Sequence, residues 1–290
     1  MTTEAALKHI RHSYREGNQA TELSTIDVWL PEGISDGKNT EGIWVVFIHG
    51  GAWRDPLIDS TSFKRTVDNL LLTPPPTTSG VPIVGYASLN YRLSPYPSHP
   101  THPSSPSDAS RTAKHPDHID DVTTGMLLLD RTYGINGRYL LAGHSCGATL
   151  AFQLPEEEKG ERLPVPRCII GSEGIYDIPS LLERNRHPFY RDFIVSAFGE
   201  DEAVWTAVSP TTAKGEPTKL WEKAGVLLIS HSEEDEYVEK EQSVDMLERI
   251  KREAREGQDV RYVEARGRHD EVHERGGELA RVIGVGIERM

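Results

Sequence analysis

The sequence contains little cysteine and no long apolar segment, and each shortage excludes a class of protein. Cys146 and Cys168 are the only two cysteines among 290 residues. Two thiols are too few for a disulfide framework and favour a reducing compartment, the cytoplasm. The longest run of aliphatic and aromatic residues, 43–48, is far shorter than the roughly 20 that a membrane helix needs. The N-terminal letters MTTEAALKHIRHSYREG lack the apolar core of a signal peptide.

Positive charge is also scarce. The chain has 32 lysines and arginines against 45 acidic residues, a formal net charge of −13. This balance argues against nucleic acid or an anionic membrane as the partner, because both are negatively charged. A chain of this length can bury about three quarters of its unfolded surface, so it can fold without disulfides. One domain over 1–290 is predicted.

Apolar runs rich in β-branched and aromatic residues alternate with helical patterns along the chain. Strands are predicted at 25–30, 43–48, 82–89, 138–142, 167–171, 225–230 and 259–264. Helices are predicted at 60–72, 117–132, 146–154, 178–185, 237–255 and 272–288. Several of the strands are continuously apolar, as expected when helices cover both faces of a sheet. The alternation predicts an α/β fold with a mostly parallel sheet.

Two segments interrupt this alternation. Residues 94–116 are rich in proline and serine and predict a surface loop. Residues 187–221 carry scattered aromatic side chains and predict a helical insertion over one edge of the sheet. Such an insertion either roofs a pocket or simply packs against the core.

One serine stands at a junction between a predicted strand and a predicted helix. Ser145 lies in Gly143-His-Ser-Cys-Gly147, which fits G-x-S-x-G, a sharp turn that exposes a nucleophilic serine oxygen. The two glycines are needed because a side chain at either position would collide with the neighbouring strand or helix. The alternative is that Ser145 only caps the helix, which serine does well. The position of Ser145 between a strand and a helix favours the role of nucleophile over that of a helix cap.

A serine nucleophile needs a histidine base and an acid that orients it, and in this type of turn they follow in the order serine, acid, histidine. The loop after strand 225–230 contains four acids: Glu233, Glu234, Asp235 and Glu236. Asp235 is also a suitable N-cap for helix 237–255. The loop after strand 259–264 contains His269 and His273. His269 is favoured, because it comes first after the strand whereas His273 belongs to the next helix. Their spacing fits neither common zinc motif, so no metal is predicted.

A tetrahedral intermediate also needs N–H donors for its oxyanion. Cys146, directly after the serine, supplies one. The segment His49-Gly-Gly-Ala-Trp53 follows strand 43–48 and matches the H-G-G-G type of oxyanion loop, so Gly50, Gly51 and Ala52 are the other candidates. The alternative is an ordinary glycine-rich turn. His49 and His144 are interpreted as residues that brace their turns.

Six motifs together resemble one family. They are H-G-G-x-W at 49–53, N-Y-R-L-S-P at 90–95, H-P-x-H-I-x-D at 115–121, G-H-S-x-G-A at 143–148, H-S-x-x-D-E at 231–236 and H-D at 269–270. The chain resembles the α/β-hydrolase superfamily and, within it, the fungal-type kynurenine formamidases. The resemblance implies a triad of Ser145, Asp235 and His269. It also implies a sheet of about eight strands, so that one strand in addition to the seven predicted above is expected near the N-terminus. It also implies hydrolysis of N-formyl-L-kynurenine to L-kynurenine and formate, without a cofactor, by a homodimer.

The sequence leaves the substrate-binding residues and the exact substrate with more than one interpretation. Trp53 and the aromatic residues of 187–221 are candidates for stacking on a substrate ring, although core packing explains them equally well. Arg54, Arg92 and several acids are candidates for the charged ends of an amino-acid substrate. The competing functions are a carboxylesterase or lactonase on another small substrate and, from a different class, a ligand-binding protein without turnover.

Overall fold

An eight-stranded β-sheet runs through the computed structural model, which describes residues 7–34, 38, 41–76, 80–214 and 218–290. Its strands are β1 (Leu7–Ser13), β2 (Thr25–Pro31), β3 (Ile43–Ile48), β4 (Ile83–Leu89), β5 (Tyr139–His144), β6 (Cys168–Ser172), β7 (Val226–Ser232) and β8 (Asp259–Ala265). Their order across the sheet is β1-β2-β4-β3-β5-β6-β7-β8. β2 pairs antiparallel with β1 and β4, and all the other pairs are parallel. The predicted fold class is confirmed.

All seven predicted strands are present, with bounds that agree to within two residues. The eighth strand, β1, lies near the N-terminus, where the resemblance implied one. It is an edge strand that pairs only with β2, so its sequence, LKHIRHS, is largely polar and partly exposed. A strand with so little apolar content gives a weak sequence signal, because the signal depends on burial.

Nine α-helices occur in the described part of the chain. They are α1 (Lys64–Leu72), α2 (Asp117–Tyr133), α3 (Cys146–Gln153), α4 (Ile178–Arg184), α5 (Pro188–Phe198), α6 (Glu202–Val208), α7 (Lys240–Glu253), α8 (Glu271–Glu274) and α9 (Gly277–Ile287). The predicted helix 272–288 is two helices, because Gly276 between them has a left-handed backbone (φ 72°). A Cβ atom there would lie 2.5 Å from the backbone of Arg65 and Thr66, so only glycine fits. None of the described helices is long and apolar enough to cross a membrane.

The apolar core lies on both faces of the sheet. Along β3, Val46 and Ile48 pack into one layer and Val45 and Phe47 into the other, as the two-residue period of a strand requires. With both faces of the sheet covered, the carboxyl ends of the parallel strands remain at one edge of the sheet. In open α/β sheets, that edge is where ligands bind.

The two interrupting segments both approach this edge. The loop 94–116 folds back on itself, with Leu93 N–H donating to Ser110 O (2.8 Å) and Ala113 N–H donating to Leu93 O (3.0 Å). The predicted insertion contains α5, α6 and a 3-10 turn at Leu220–Lys223. Of its aromatic residues, Trp205 and Trp221 are buried in the core, whereas Phe189 and Tyr190 lie partly exposed on α5.

Candidate active site

Ser145 occupies the strained turn between β5 and α3. Its backbone has φ 53° and ψ −126°, a combination that is rare for a residue with a side chain. A Cβ at Gly143 would lie 2.3 Å from Gly147 O, and one at Gly147 would lie 2.2 Å from Ile48 O. Both glycines are therefore required for the approach of α3 to β5 and β3. Ser145 stands at the N-cap position, but its side chain makes no capping hydrogen bond, so the capping role is not its function.

His269 and Asp235, each in a loop that follows a strand, are joined by a hydrogen bond. Nδ1 of His269 lies 2.7 Å from Oδ2 of Asp235. The other carboxylate oxygen, Oδ1, accepts the N–H groups of Tyr237 (2.8 Å) and Val238 (2.9 Å). Burial alone would raise the pKa of Asp235, but these hydrogen bonds outweigh it and lower the pKa. Asp235 is thus held as a carboxylate against the ring.

The alternative that Asp235 caps the next helix is wrong. The helix α7 begins at Lys240, not at 237, and Glu239 occupies its N-cap position. Instead, Oδ1 of Asp235 accepts the N–H groups of Tyr237 and Val238, the two residues before Glu239. These hydrogen bonds tighten the loop and direct Oδ2 at His269. The Asp235 carboxylate therefore holds the loop with one oxygen and the His269 ring with the other.

The other three acids of the loop point elsewhere. Glu233 forms an ion pair with Lys240. Glu234 accepts the N–H of Gly267 at 3.3 Å, and it is exposed. Glu236 accepts the backbone N–H of His269 at 3.1 Å and pairs with Arg268. Of the four, only Asp235 has a side-chain contact with the His269 ring.

Three further histidines are buried behind the site. The ring of His273 packs at a tilt against that of His144, with centroids 4.4 Å apart, and the ring centroid of His144 lies 4.8 Å from that of His269. A ring N–H of His144 donates to His269 O (3.1 Å), and one of His49 donates to Gly50 O (2.9 Å). Burial lowers the pKa of His49 and of His273 to about 4, and it lowers the pKa of His144 well below the usual value, so all three are neutral. They brace the loops that carry the site.

The oxyanion loop has a backbone that leaves N–H groups free. Gly51, Ala52 and Trp53 all have positive φ (94°, 49° and 59°). Gly50 faces Ser145, and a Cβ there would lie 3.1 Å from the serine Cβ. Within the described part of the chain, the N–H groups of Gly50, Gly51, Ala52 and Cys146 have no backbone acceptor. Gly51 and Ala52 line the same cavity as Ser145, so their N–H groups are the best placed to receive an oxyanion.

Ser145 and His269 open onto one cavity of about 270 Å³. Five of its fifteen lining residues are aromatic, and they come from the loop 94–116, α5 and the loop before α7. These residues are Tyr96, Phe189, Tyr190, Phe193 and Tyr237. The volume is near the lower limit for small-molecule sites, about 300 Å³. The insertion therefore forms part of the wall of a pocket, which was one of its two predicted roles.

Trp53 does not take the position expected for a substrate contact. Its side chain is fully buried and is not among the cavity walls. Its ring packs against Phe193 (6.2 Å between centroids) and Phe198 (5.0 Å). Because the left-handed turn at Trp53 directs the ring into the core, it supports α5 from behind, and Phe193 forms the cavity wall.

Glu173 is a buried residue at the site that sequence reasoning missed. It directly follows β6, has a left-handed backbone (φ 51°), and its Oε2 accepts the N–H of Ser232 at 3.1 Å. Burial and the neighbouring Asp235 raise the pKa of Glu173 to about 9, so it is protonated at neutral pH. The signal available in the sequence was its position, directly after a buried parallel strand.

Glu173, His231 and Asp235 place one ligand atom each within 4.8 Å of one another, a spacing that could hold a metal ion. The donor set argues against one. The ring of His231 already uses both nitrogens, because Nε2 bonds to Val238 O (2.9 Å) and Nδ1 to Ser243 Oγ (2.9 Å). A protonated glutamic acid is also a poor metal ligand.

Comparison with known proteins identifies several relatives. The chain is 39% identical to a kynurenine formamidase-like hydrolase of Fusarium equiseti, over 95% of this chain and 94% of the relative. It is 33% identical to a kynurenine formamidase of Aspergillus versicolor, over 79% of this chain and 83% of the relative. A kynurenine formamidase of Meyerozyma guilliermondii is 29% identical over 79% of this chain and 78% of its own. No protein-family model matches the chain.

Solved structures with the same architecture are esterases. A truncated carbohydrate esterase from gut microbiota has a TM-score of 0.66 and 15% identity, over 100% of this chain and 99% of its own. The carboxyl esterase 2 of Tuber melanosporum has a TM-score of 0.64 and 15% identity, over 99% of this chain and 88% of its own. At this level of identity, the likeness establishes the α/β-hydrolase fold alone.

Proposed function

Because the chain belongs to the kynurenine formamidase family of α/β-hydrolases, we propose that it hydrolyses N-formyl-L-kynurenine to L-kynurenine and formate, with Ser145, His269 and Asp235 as its triad. One observation carries the assignment of residues. The 2.7 Å hydrogen bond between His269 and Asp235 lies beside a cavity onto which Ser145 also opens. These observations support Ser145 as nucleophile, His269 as base and Asp235 as orienting acid, each supplied by a separate loop.

In the first half of the reaction, Ser145 Oγ attacks the formyl carbon while Nε2 of His269 takes the hydroxyl proton. Asp235 accepts the Nδ1–H, which holds the ring in the required tautomer and stabilises the imidazolium that forms. The oxyanion receives N–H groups of Gly51, Ala52 and Cys146. Each such donor contributes about 10²–10³ in rate in a serine hydrolase.

In the second half, His269 gives its proton to the aryl amine, and the C–N bond breaks to release L-kynurenine. A water molecule then attacks the formyl-serine, with His269 as its base, and releases formate. A formyl group carries only hydrogen on its carbonyl carbon, so the acyl side of the site can be narrow. The aromatic walls of the cavity suit the aryl leaving group.

We further propose that residues 1–290 form one domain, which acts as a homodimer in the cytoplasm, on a small molecule and without nucleic acid or a cofactor. The sheet, continuous from β1 to β8, supports one domain. Both cysteines are buried and free, which supports a reducing compartment. The homodimer is proposed from the family.

The decisive experiment is a substrate panel. Steady-state kinetics on N-formyl-L-kynurenine, formanilide and p-nitrophenyl acetate should give the highest kcat/KM for formylkynurenine, because its larger leaving group is positioned by the cavity. Equal efficiency on the two formamides, or a clear preference for the acetate, would instead identify a general esterase. Labelling of Ser145 by a fluorophosphonate excludes a binding protein without turnover, and no labelling would favour it.

A further inference from the structure

Arg54 presents a buried cation to the catalytic cavity. It follows the oxyanion loop directly, lines the cavity and is only 3% exposed. Its guanidinium carbon lies over the ring of Tyr96, 3.9 Å from the centroid, a cation–π contact that helps to hold the side chain in place. Within the described part of the chain, its Nε has no hydrogen-bond partner. A buried polar atom without a partner is unusual and costly, so this guanidinium has capacity for another acceptor.

Asp192, which forms an ion pair with Arg54, leaves the Nε of Arg54 without a hydrogen-bond partner among the described residues. Asp192 on α5 accepts from Nη1 at 2.6 Å, but its side chain is 61% exposed. An ion pair with so exposed a carboxylate is weak, because solvent screens it. The other candidate cation, Arg92, is fully engaged elsewhere, because Asp121 accepts from its Nε (2.8 Å) and Nη2 (3.0 Å). Arg54 is therefore the arginine available to a bound anion.

Two carboxylates face the same cavity. Asp270 follows His269 in the chain and lines the cavity, and its side chain makes no capping hydrogen bond to α8. Asp55, which follows Arg54, also lines it. Burial raises the pKa of Asp270, and the charges of Glu274, Glu236 and Asp55 raise it further, against the opposing effect of His269. A cation bound beside Asp270 would relieve this repulsion.

We propose that this cavity contains a subsite for the zwitterionic end of an α-amino acid, with Arg54 binding the carboxylate and Asp270, assisted by Asp55, binding the ammonium group. The inference rests on the proposed function and adds to it the residues that select an amino-acid substrate. A planar guanidinium suits a carboxylate because it can donate two parallel hydrogen bonds. Neither charge is needed for a simple ester, so the subsite separates an amino-acid amidase from a general esterase.

The test compares N-formyl-L-kynurenine with two analogues, one lacking only the carboxylate and one lacking only the amine. Arg54→Met should reduce the preference for formylkynurenine over the decarboxylated analogue, expressed as a ratio of kcat/KM, by about 10- to 100-fold. Asp270→Asn should reduce the preference over the deaminated analogue by about tenfold. Because each readout is a ratio, a general loss of activity does not imitate the effect.

Asp192→Asn is the matched control. It removes the ion partner of Arg54 but leaves the guanidinium in the cavity, so the preference should be kept. If Asp192→Asn lowers the ratio as much as Arg54→Met does, Arg54 only anchors α5 and the subsite is wrong. Thermal unfolding of each variant checks that it is folded, and Arg54→Lys, which keeps the charge, should retain part of the preference.

Binding of L-kynurenine to a Ser145→Ala background, measured by titration calorimetry, separates the failure of this subsite from the failure of the proposed function. If Arg54→Met weakens the binding of L-kynurenine about tenfold or more, the subsite is supported, even if the enzyme turns over another substrate faster. Unchanged binding of L-kynurenine would overturn the subsite even in an enzyme that hydrolyses formylkynurenine.

Discussion

The carboxyl group of Glu173 lies against that of Asp235 in the interior of the protein, and each places an oxygen within 4.8 Å of the other and of His231. Two buried carboxylates at this distance cannot both ionise easily. Asp235 keeps the charge, because it accepts hydrogen bonds from His269 and from two backbone N–H groups, and Glu173 keeps the proton. Glu173 is therefore a neutral neighbour of the acid of the triad, and its Oε1 has no hydrogen-bond partner among the described residues.

Glu173→Gln should stabilise the protein at alkaline pH. The folded-state pKa of Glu173 is raised from 4.5 to about 9, so the folded state holds a proton that the unfolded state releases between these values. This costs stability progressively as the pH rises from 4.5 to about 9, and a neutral glutamine avoids that loss. Denaturant unfolding should show a gain over the wild type that grows from pH 5 to pH 8. Glu234→Gln, at an exposed position, should show no such trend.

The same variant should keep most of its turnover. Glutamine reproduces the size and the neutral form of Glu173, and its side-chain oxygen can still accept the N–H of Ser232, so kcat/KM at neutral pH should stay within about threefold. Glu173→Ala should lower it about tenfold, because the N–H of Ser232 then loses its acceptor beside Asp235. Equal losses in Gln and Ala variants that are both folded would contradict the role of a neutral neighbour that holds Ser232.

Ser145→Ala should leave a folded protein with activity reduced by several orders of magnitude. Serine hydrolases without a triad member retain only about 10³–10⁴ over the reaction in water. The measurement is kcat/KM on N-formyl-L-kynurenine, with circular dichroism and melting as checks on folding. Turnover near that of the wild type would mean that Ser145 is not the nucleophile.

Asp235→Asn should damage turnover far more than Glu234→Gln, although each removes one charge from the same loop. Of the four acids in this loop, only Asp235 forms a hydrogen bond with the His269 ring, and an amide there would favour the wrong tautomer, at a cost of up to about 10⁴ in kcat. Kinetics on the two variants, measured under the same conditions, test the assignment. It would be wrong if Glu234→Gln were the inactive variant.

The buried histidines should make the protein unstable in acid. The folded-state pKa of His273 and of His49 is lowered from 6.5 to about 4, so their contribution is fully present above pH 6.5. It is lost as the pH falls from 6.5 to about 4, because the unfolded state binds protons that the folded state refuses. His273→Gln should flatten the fall in unfolding free energy over this range. A slope identical to that of the wild type would show that His273 is not buried as a neutral ring.

The sequence by itself determined the fold and the loops that carry the site. Alternating apolar strands and amphipathic helices predict a parallel sheet because burial on two faces leaves that pattern. Gly143 and Gly147 mark the turn at Ser145, since contacts at 2.2–2.3 Å admit no Cβ at either position. The edge strand β1 and the exact starts of α7 and α9 escaped prediction, because they depend on exposure and on packing against distant segments.

Only the tertiary structure decided which side chains meet. Asp235 was one of four neighbouring acids, and the selection came from the 2.7 Å contact across 34 positions of the chain. Trp53 turned into the core while Arg54, the next residue, lines the cavity, because a left-handed backbone at Trp53 sends the two side chains in different directions. Glu173 has no motif at all. Its chemistry arises from burial beside another carboxyl group, which is a property of the packed interior and not of the local sequence.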